Sequence, residues 1–183
     1  ETGLRDRMKF FKKAPETEKI VKSLTNNNDI YLVPAFTGLG APYWDANARG
    51  VLSGITRDTS PKEIVRATIE AVAYQTFDLF EAMKHDGLRP KIVKVDGGMV
   101  MNNWFSQFLS DIVNVKVLRP KVQETTALGA AFMAGLQIGV YKSLKDISKN
   151  WHLDKKFSPK MKNKSRSMLI KGWEMAVKRA LIN

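Results

Sequence analysis

The chain has 183 residues, a formal net charge of +12 and no cysteine. This length is sufficient for one domain with a sizeable core, and the lack of cysteine excludes disulfides and thiolate chemistry and is typical of a reducing compartment such as the cytoplasm. The sequence contains no apolar run long enough to cross a bilayer, and its two histidines have no neighbours at metal-ligand spacing, so neither a membrane nor a metal centre is expected.

The positive charge is concentrated near the two ends of the chain, in residues 5–22 and 155–171. Proteins that bind single-stranded nucleic acid place stacking aromatic side chains within their basic groove, whereas these two stretches contain few aromatic residues. The distribution therefore predicts a solvated basic surface and no nucleic-acid partner.

The first 22 residues begin without a helix cap, although Leu4, Met8 and Phe11 recur at helical spacing. The sequence therefore predicts that the chain starts inside a structural element. Residues 26–29 are polar and predict a turn, and residues 30–36 are rich in β-branched and aromatic side chains, which predicts a buried strand.

Residues 36–45 contain two glycines, Pro42 and the pair Tyr43 and Trp44, which predicts a structured loop. Exposed aromatic side chains here would indicate a ligand or domain contact, and buried ones an anchored loop; composition favours the anchored loop. Asp45 is interpreted mainly as a hydrogen-bond acceptor within this loop, with a supporting role behind catalytic groups as the alternative.

A short strand is predicted over residues 51–55, and a long helix follows it. Ser60, Pro61 and Glu63 form a helix start, with a capping serine, proline at the first helical position and glutamate three residues after the serine. Two apolar stripes run along the helix until it ends near Gly87, so we expect it to be covered on more than one side.

Residues 91–103 combine a β-branched strand, the pair Gly97 and Gly98, and then Asn102 and Asn103. Either asparagine is suited to cap the next helix, and a strand, glycine turn and helix can present free N–H groups to a phosphate. A plain glycine turn between a buried strand and a surface helix explains the pattern equally well. The helix after the turn has one apolar stripe, formed by Trp104, Phe108 and Ile112.

Residues 115–118 predict another short strand, and residues 125–135 predict a helix of small side chains. Gly129 and Gly135 would weaken that helix in isolation. We therefore expect them to serve close packing of the helix against a sheet.

Residues 142–164 are rich in lysine and interrupted by Pro159, which predicts a long surface connection, and residues 167–181 recover the period of an amphipathic helix. Helices and strands thus alternate along the chain. This order predicts an α/β layer with a largely parallel sheet.

Four motifs in this order resemble the FGGY-type carbohydrate kinases, and especially their glycerol-phosphorylating members. The motifs are residues 36–45, residues 50–55 followed by 63–64 and 67–70, residues 95–98 with Asn102, and residues 125–131. The resemblance implies an actin-like ATPase, or ribonuclease H-like, fold. Residues 1–183 would form its carboxy-terminal, nucleotide-side domain, incomplete at its first strands.

The resemblance further implies binding of ATP with Mg²⁺ and phosphorylation of a terminal hydroxyl of glycerol. Gly98 and Asn102 match positions that contact the adenine nucleotide in the family, and Gly97 and Asp96 are weaker candidates. The family's catalytic aspartate and its glycerol-contacting residues precede this segment, so no catalytic residue is assigned. Thr2 stands where the family has a nucleotide-contacting glutamine, which implies that this contact is lost or altered.

Two other functions remain open at this point: a kinase of another polyol or sugar, and a non-catalytic remnant or basic binding module. In any of these cases an incomplete sheet would expose an unpaired edge. Because the catalytic aspartate is expected outside this segment, we expect the chain to be inactive alone. Because its sheet is incomplete, we expect it to be stable only with its missing portion or by association, and members of the family commonly associate.

Overall fold

In this computed structural model, residues 8–181 are described. The helices of this part of the chain, α1 to α6, span Glu16–Lys22, Pro61–His85, Asn103–Val113, Thr125–Gln137, Leu144–Ser148 and Asn163–Leu181. Its strands, β1 to β5, span Tyr31–Val33, Val51–Ser53, Ile92–Lys94, Lys116–Pro120 and Leu153–Phe157. A 3₁₀ turn over Gly98–Met101 connects β3 with α3. None of these helices is both long and apolar enough to span a bilayer.

Helix α2 is the central element of the core. Its predicted start is confirmed: the backbone N–H of Ser60 donates to Oε2 of Glu63 at 3.0 Å, and the Ser60 hydroxyl accepts from the backbone N–H of Lys62 at 3.3 Å. The helix packs against α1, β1 and α3, so it is covered on more than one side, as predicted, although Val72 and Leu79 remain exposed. The local sequence thus determines where this helix begins, and burial on several sides holds it.

An aromatic cluster joins α2 to its neighbours. The ring of Tyr74 stacks on Trp173 of α6 at 5.3 Å between centroids, meets Phe108 of α3 edge-on at 5.6 Å and lies 5.8 Å from Tyr31 of β1. Such ring contacts stabilise the fold beyond what the burial of their large apolar surfaces contributes. The cluster therefore connects four elements that are far apart in sequence.

The strands form two small sheets. Strands β1 and β2 are antiparallel, and the second sheet has the order β3-β4-β5, in which β3 and β4 are parallel while β4 and β5 are antiparallel. The prediction of a largely parallel sheet is therefore wrong for the described residues. Antiparallel neighbours need no crossover helix, and a loop is all that connects β1 to β2.

The prediction of a surface connection over residues 142–164 is also wrong in part. Most of the segment is exposed, but it contains α5 and β5, and Phe157 of β5 is buried in the core. Strand β5 lies at the edge of its sheet, where exposed lysines such as Lys155 and Lys156 are common because they discourage pairing with other chains. Those lysines concealed the strand in the sequence.

Helix α4 packs differently from the prediction. Gly135 is the only buried residue along its length, and a Cβ there would meet the ring of Tyr141 at 2.9 Å, whereas a Cβ at Gly129 would meet nothing within 4 Å. The two glycines thus do not serve packing against a sheet among the described residues. Helix α4 and Lys94, the last residue of β3, line one cavity, and the outer edge of β3 has no partner strand in residues 8–181. We call these two elements the α4–β3 face.

The opening of the chain differs from its predicted helical spacing. Residues 8–15 form turns, and the first helix begins only at Glu16. Leu4 and Thr2 lie outside the described residues. Helix α1 is therefore a short separate element that packs on α2 and α3.

Candidate nucleotide site

A cleft of about 240 Å³ separates α1 from the glycine turn that follows β3. Two of its lining residues, Gly98 and Asn102, are the two that the sequence singled out. The others are Ala14, Pro15, Thr17, Glu18, Met99 and Met101. We call this cavity the α1 cleft.

The two glycines of the turn have different roles. Gly97 has φ of +84°, a conformation that side chains other than glycine adopt only with strain. Gly98 has no such φ, and a Cβ on it would meet no heavy atom within 4 Å. Gly97 is therefore needed by the backbone, whereas at Gly98 the open space belongs to the cleft that this residue lines.

Asn102, one of the two asparagines predicted as candidates, caps α3. Its Oδ1 accepts a hydrogen bond from the backbone N–H of Phe105 at 3.0 Å, while its Nδ2 donates to Oγ1 of Thr17 at 3.4 Å. One side chain thus caps the helix on one side of the cleft and contacts α1 on the other. Its contact with a nucleotide stays a prediction.

Glu18 gives the α1 cleft an acidic group that the sequence analysis did not single out. Its Oε2 accepts from the backbone N–H of Asn103 at 3.3 Å, and its Oε1 accepts from Nζ of Lys22 at 2.5 Å. Burial alone would raise the pKa of this carboxyl, but the hydrogen bonds from Lys22 and Asn103 hold the pKa below its usual value. Glu18 is therefore ionised at neutral pH.

The two aspartates considered from sequence lie elsewhere. Asp96 accepts a hydrogen bond from the hydroxyl of Thr125 at the start of α4, and it does not line the α1 cleft. Oδ1 of Asp45 accepts from the backbone N–H groups of Asn47 at 2.8 Å and Ala48 at 3.1 Å, which is the predicted loop role. Among the described residues no group of three or more acidic or histidine side chains is arranged to hold a metal ion.

The loop over residues 36–45 is anchored through its backbone, while two of its aromatic rings are exposed. Leu39 and Asp45 exchange backbone hydrogen bonds of 2.7 and 2.9 Å. Phe36 is nonetheless 74% exposed and Trp44 79% exposed, whereas Tyr43 is half-buried. The loop thus combines the two sequence interpretations, because its frame is fixed but its largest side chains face solvent.

A buried ion pair supports both walls of the α1 cleft. Nε of Arg66 donates to Oε1 of Glu70 at 2.7 Å, and the same guanidinium donates to the carbonyl of Leu24, just after α1, at 2.8 Å. It also lies over the ring of Trp104 in α3, 5.1 Å from the centroid. Burial raises the pKa of the Glu70 carboxyl, and Arg66 opposes that shift. In the sequence, residues 67–70 are recognisable only as part of a motif, which does not reveal this pair.

Comparison with known proteins assigns the family. The carboxy-terminal domain of the FGGY family of carbohydrate kinases matches residues 4–138. The chain belongs to this family. The sequence resemblance and the actin-like ATPase fold that it implied are confirmed.

Individual FGGY relatives point to one branch. The chain is 54% identical to glycerol kinase 1 of Pseudomonas aeruginosa over 176 residues, and 50% identical to a Clostridium botulinum glycerol kinase over 179 residues. These matches cover 96% and 97% of this chain but 36% of each relative. The chain thus spans about a third of the length of the FGGY kinases that it matches.

Solved FGGY structures agree. The structure of Plasmodium falciparum glycerol kinase with ADP matches with a TM-score of 0.85 and 36% identity, covering 98% of this chain and 36% of that one. A xylulose kinase from Lactobacillus acidophilus matches with a TM-score of 0.76 at 24% identity over 96% of this chain and 36% of its own, which supports the shared fold alone.

Proposed function

We propose that this chain supplies the adenine-nucleotide site of an ATP-dependent kinase that phosphorylates glycerol. The observation that carries the proposal is the α1 cleft, in which Gly98 and Asn102 face α1 across one cavity. Similarity to glycerol kinases, one of them solved with ADP, supports an adenine nucleotide as the ligand of the cleft. Gly97 and Asp96 contribute indirectly, by shaping the turn and by fixing the start of α4.

The chemistry of phosphoryl transfer explains why the isolated chain should not turn over. The reaction needs Mg²⁺ to neutralise negative charge on the phosphates, an aligned hydroxyl and a base. We propose that Mg²⁺ is held mainly by the phosphates, as is usual for this ion, and that the base and the glycerol contacts come from the part of the kinase that this chain does not match. We propose that the chain acts in the cytoplasm, and its lack of cysteine is compatible with that compartment.

We further propose that the remainder of the kinase covers the α4–β3 face. Apolar side chains of and beside α4, including Met133 and Ile138, are exposed, and the edge of β3 offers unpaired backbone groups. An unpaired edge and exposed apolar side chains are the features that an interface covers. Self-association through the same face is the competing occupant.

Reconstitution tests this proposal directly. The chain is co-expressed with the amino-terminal 64% of a glycerol kinase relative, and ATP-dependent phosphorylation of glycerol, xylulose and gluconate is measured. We expect activity on glycerol from the pair and none from the chain alone. Higher activity on xylulose or gluconate than on glycerol would assign the chain a different substrate. Stable association without activity on any of the three compounds would support a non-catalytic role.

A variant with a charge on α4 locates the interface in the same assay. Met133→Lys should reduce association with the amino-terminal portion, because it places a cation within the apolar surface. Lys145→Met, on the exposed side of α5, provides the matched control. Equal association of Met133→Lys and the parent would place the interface elsewhere.

Valine at position 98 should weaken ADP binding by at least about tenfold in calorimetric titration, because its side chain would fill space in the α1 cleft. The fold should tolerate the change, since a Cβ at Gly98 meets nothing within 4 Å. Gly129→Val is the control, because it is equally open but lies on α4. Unchanged affinity in a folded Gly98→Val variant would remove Gly98 from the site.

A further inference from the structure

The α1 cleft has the size and lining of a base pocket rather than of a whole nucleotide site. Its volume of about 240 Å³ lies below the roughly 300–1,000 Å³ of pockets that enclose complete small ligands. Apolar groups from both walls line it, and thioethers adapt well to flat rings. These apolar residues are Ala14, Pro15, Met99 and Met101. A purine ring would fit between the two walls, with its sugar and phosphates outside.

Two polar side chains of this pocket, Glu18 and Asn102, differ in how many hydrogen-bonding sites they have left for a ligand. Asn102 already uses Oδ1 for the cap of α3 and one N–H for Thr17. Glu18 accepts from Lys22, from the backbone N–H of Asn103 and from the side chain of Asn103, which together take up three of the roughly four sites that a carboxylate offers. Glu18 therefore retains one acceptor site among the side chains that line the pocket and, being ionised, has no hydrogen to donate.

The position of Glu18 is fixed before any ligand binds. Its carboxylate lies at the N-terminus of α3, where the helix dipole favours negative charge, and its side chain is only 20% exposed. An acceptor held in place loses little conformational freedom on binding. A base that presents no donor would leave this carboxylate desolvated without a new partner, which is costly.

We propose that Glu18 determines the base specificity of the site, by accepting a hydrogen bond from the 6-amino group of adenine. This inference rests on the proposed nucleotide function of the α1 cleft and adds a residue that selects the ligand. Guanine is a poor probe of it, because its own N1–H and 2-amino groups can also donate to a carboxylate. The informative comparison is with purine riboside diphosphate, which has the shape of ADP but no amino group.

The experiment is a titration of the full 183-residue chain with ADP and with purine riboside diphosphate, each followed by calorimetry. A hydrogen bond to a charged group contributes enough that the parent should prefer ADP by about tenfold or more. Glu18→Met, which keeps the length but removes the acceptor, should reduce that preference to less than about threefold. Glu18→Gln, which keeps one acceptor oxygen, should retain part of it.

Glu16→Met is the matched control, because Glu16 lies on the same helix and outside the lining of the cleft. It should keep the full preference for ADP. Circular dichroism melts of each variant separate loss of specificity from loss of α1 structure. Should Glu18→Met fail to fold, the preference of the parent and its partial retention in Glu18→Gln decide the question.

The outcomes distinguish the two proposals. Equal affinity of the parent for both diphosphates, or an undiminished preference in Glu18→Met, would overturn the role of Glu18 while leaving the nucleotide cleft in place. If the folded parent binds neither diphosphate, the nucleotide proposal fails and this inference fails with it.

Discussion

Replacing Trp173 with alanine is expected to lower the free energy of unfolding by about 3–5 kcal/mol, the range for a large aromatic side chain removed from a core. Trp173 is fully buried, stacks on Tyr74 and donates its indole N–H to Oδ2 of Asp78 at 2.9 Å. The change would therefore open a cavity and remove one of the two side-chain donors to the buried carboxylate of Asp78. Urea unfolding followed by circular dichroism measures the loss.

Trp44→Ala is the control for this change, because it removes the same side chain from a position that is 79% exposed. Surface substitutions usually stay within about 0.5 kcal/mol. A Trp173→Ala cost as small as that of Trp44→Ala would mean that the aromatic cluster does not hold α6 to α2.

A companion variant, Trp173→Phe, separates the hydrogen bond from the cavity. Burial raises the pKa of Asp78 to about 6, and the hydrogen bonds from Trp173 and Tyr43 partly oppose that shift. Because the folded pKa lies above the unfolded one, this group favours folding at low pH, and that contribution is lost as the pH rises through about 6. Removal of the donor raises the pKa further, so Trp173→Phe should be more destabilising at pH 7.5 than at pH 5.

The second large effect is expected from Arg66→Met, with a loss of about 3–5 kcal/mol at neutral pH. The substitution would leave Glu70, which is fully buried, without its cation, and would remove the hydrogen bond to the carbonyl of Leu24. The double variant Arg66→Met with Glu70→Gln should recover much of the loss, since it removes the unpaired charge.

The pH dependence provides an independent check on this ion pair. Burial already raises the pKa of Glu70, and loss of Arg66 would raise it further. By the linkage argument, protonation of Glu70 at low pH relieves the unpaired charge, so Arg66→Met should be less destabilising near pH 4.5 than near pH 7.5. Lys84→Met, which removes an exposed pair with Glu81, should cost about 0.5 kcal/mol or less at either pH. Equal losses of unfolding free energy in Lys84→Met and Arg66→Met would contradict a buried, coupled pair of Arg66 and Glu70.

The elements that sequence reasoning placed correctly are those whose signals are local. The capping box at Ser60, the cap at Asn102 and the strand that breaks at Gly97 each depend on residues within a few positions of one another. Strand β5 was missed because pairing with β4 defines it, and that pairing joins residues more than thirty positions apart. Because β5 contains exposed lysines, its alternation of apolar and polar residues is too weak to indicate a strand.

The candidate site divides in the same way. Gly98 and Asn102 were found through a motif, but Glu18 lies 80 residues before Gly98 and enters the cleft only because α1 packs on α3. The one signal of Glu18 in the sequence is its position four residues before Lys22. That spacing is equally typical of an exposed helical ion pair. Long-range contacts of this kind carry no local pattern.

Helix α4 has a consequence for how the chain opens. With one buried residue along its length, this helix loses little apolar burial when it unfolds, so its opening should require much less free energy than global unfolding of α2 and α3. The chain is therefore expected to contain two cooperative units of unequal stability. A partner that covers α4 would therefore raise the local stability of that unit more than the stability of the unit that contains the α1 cleft.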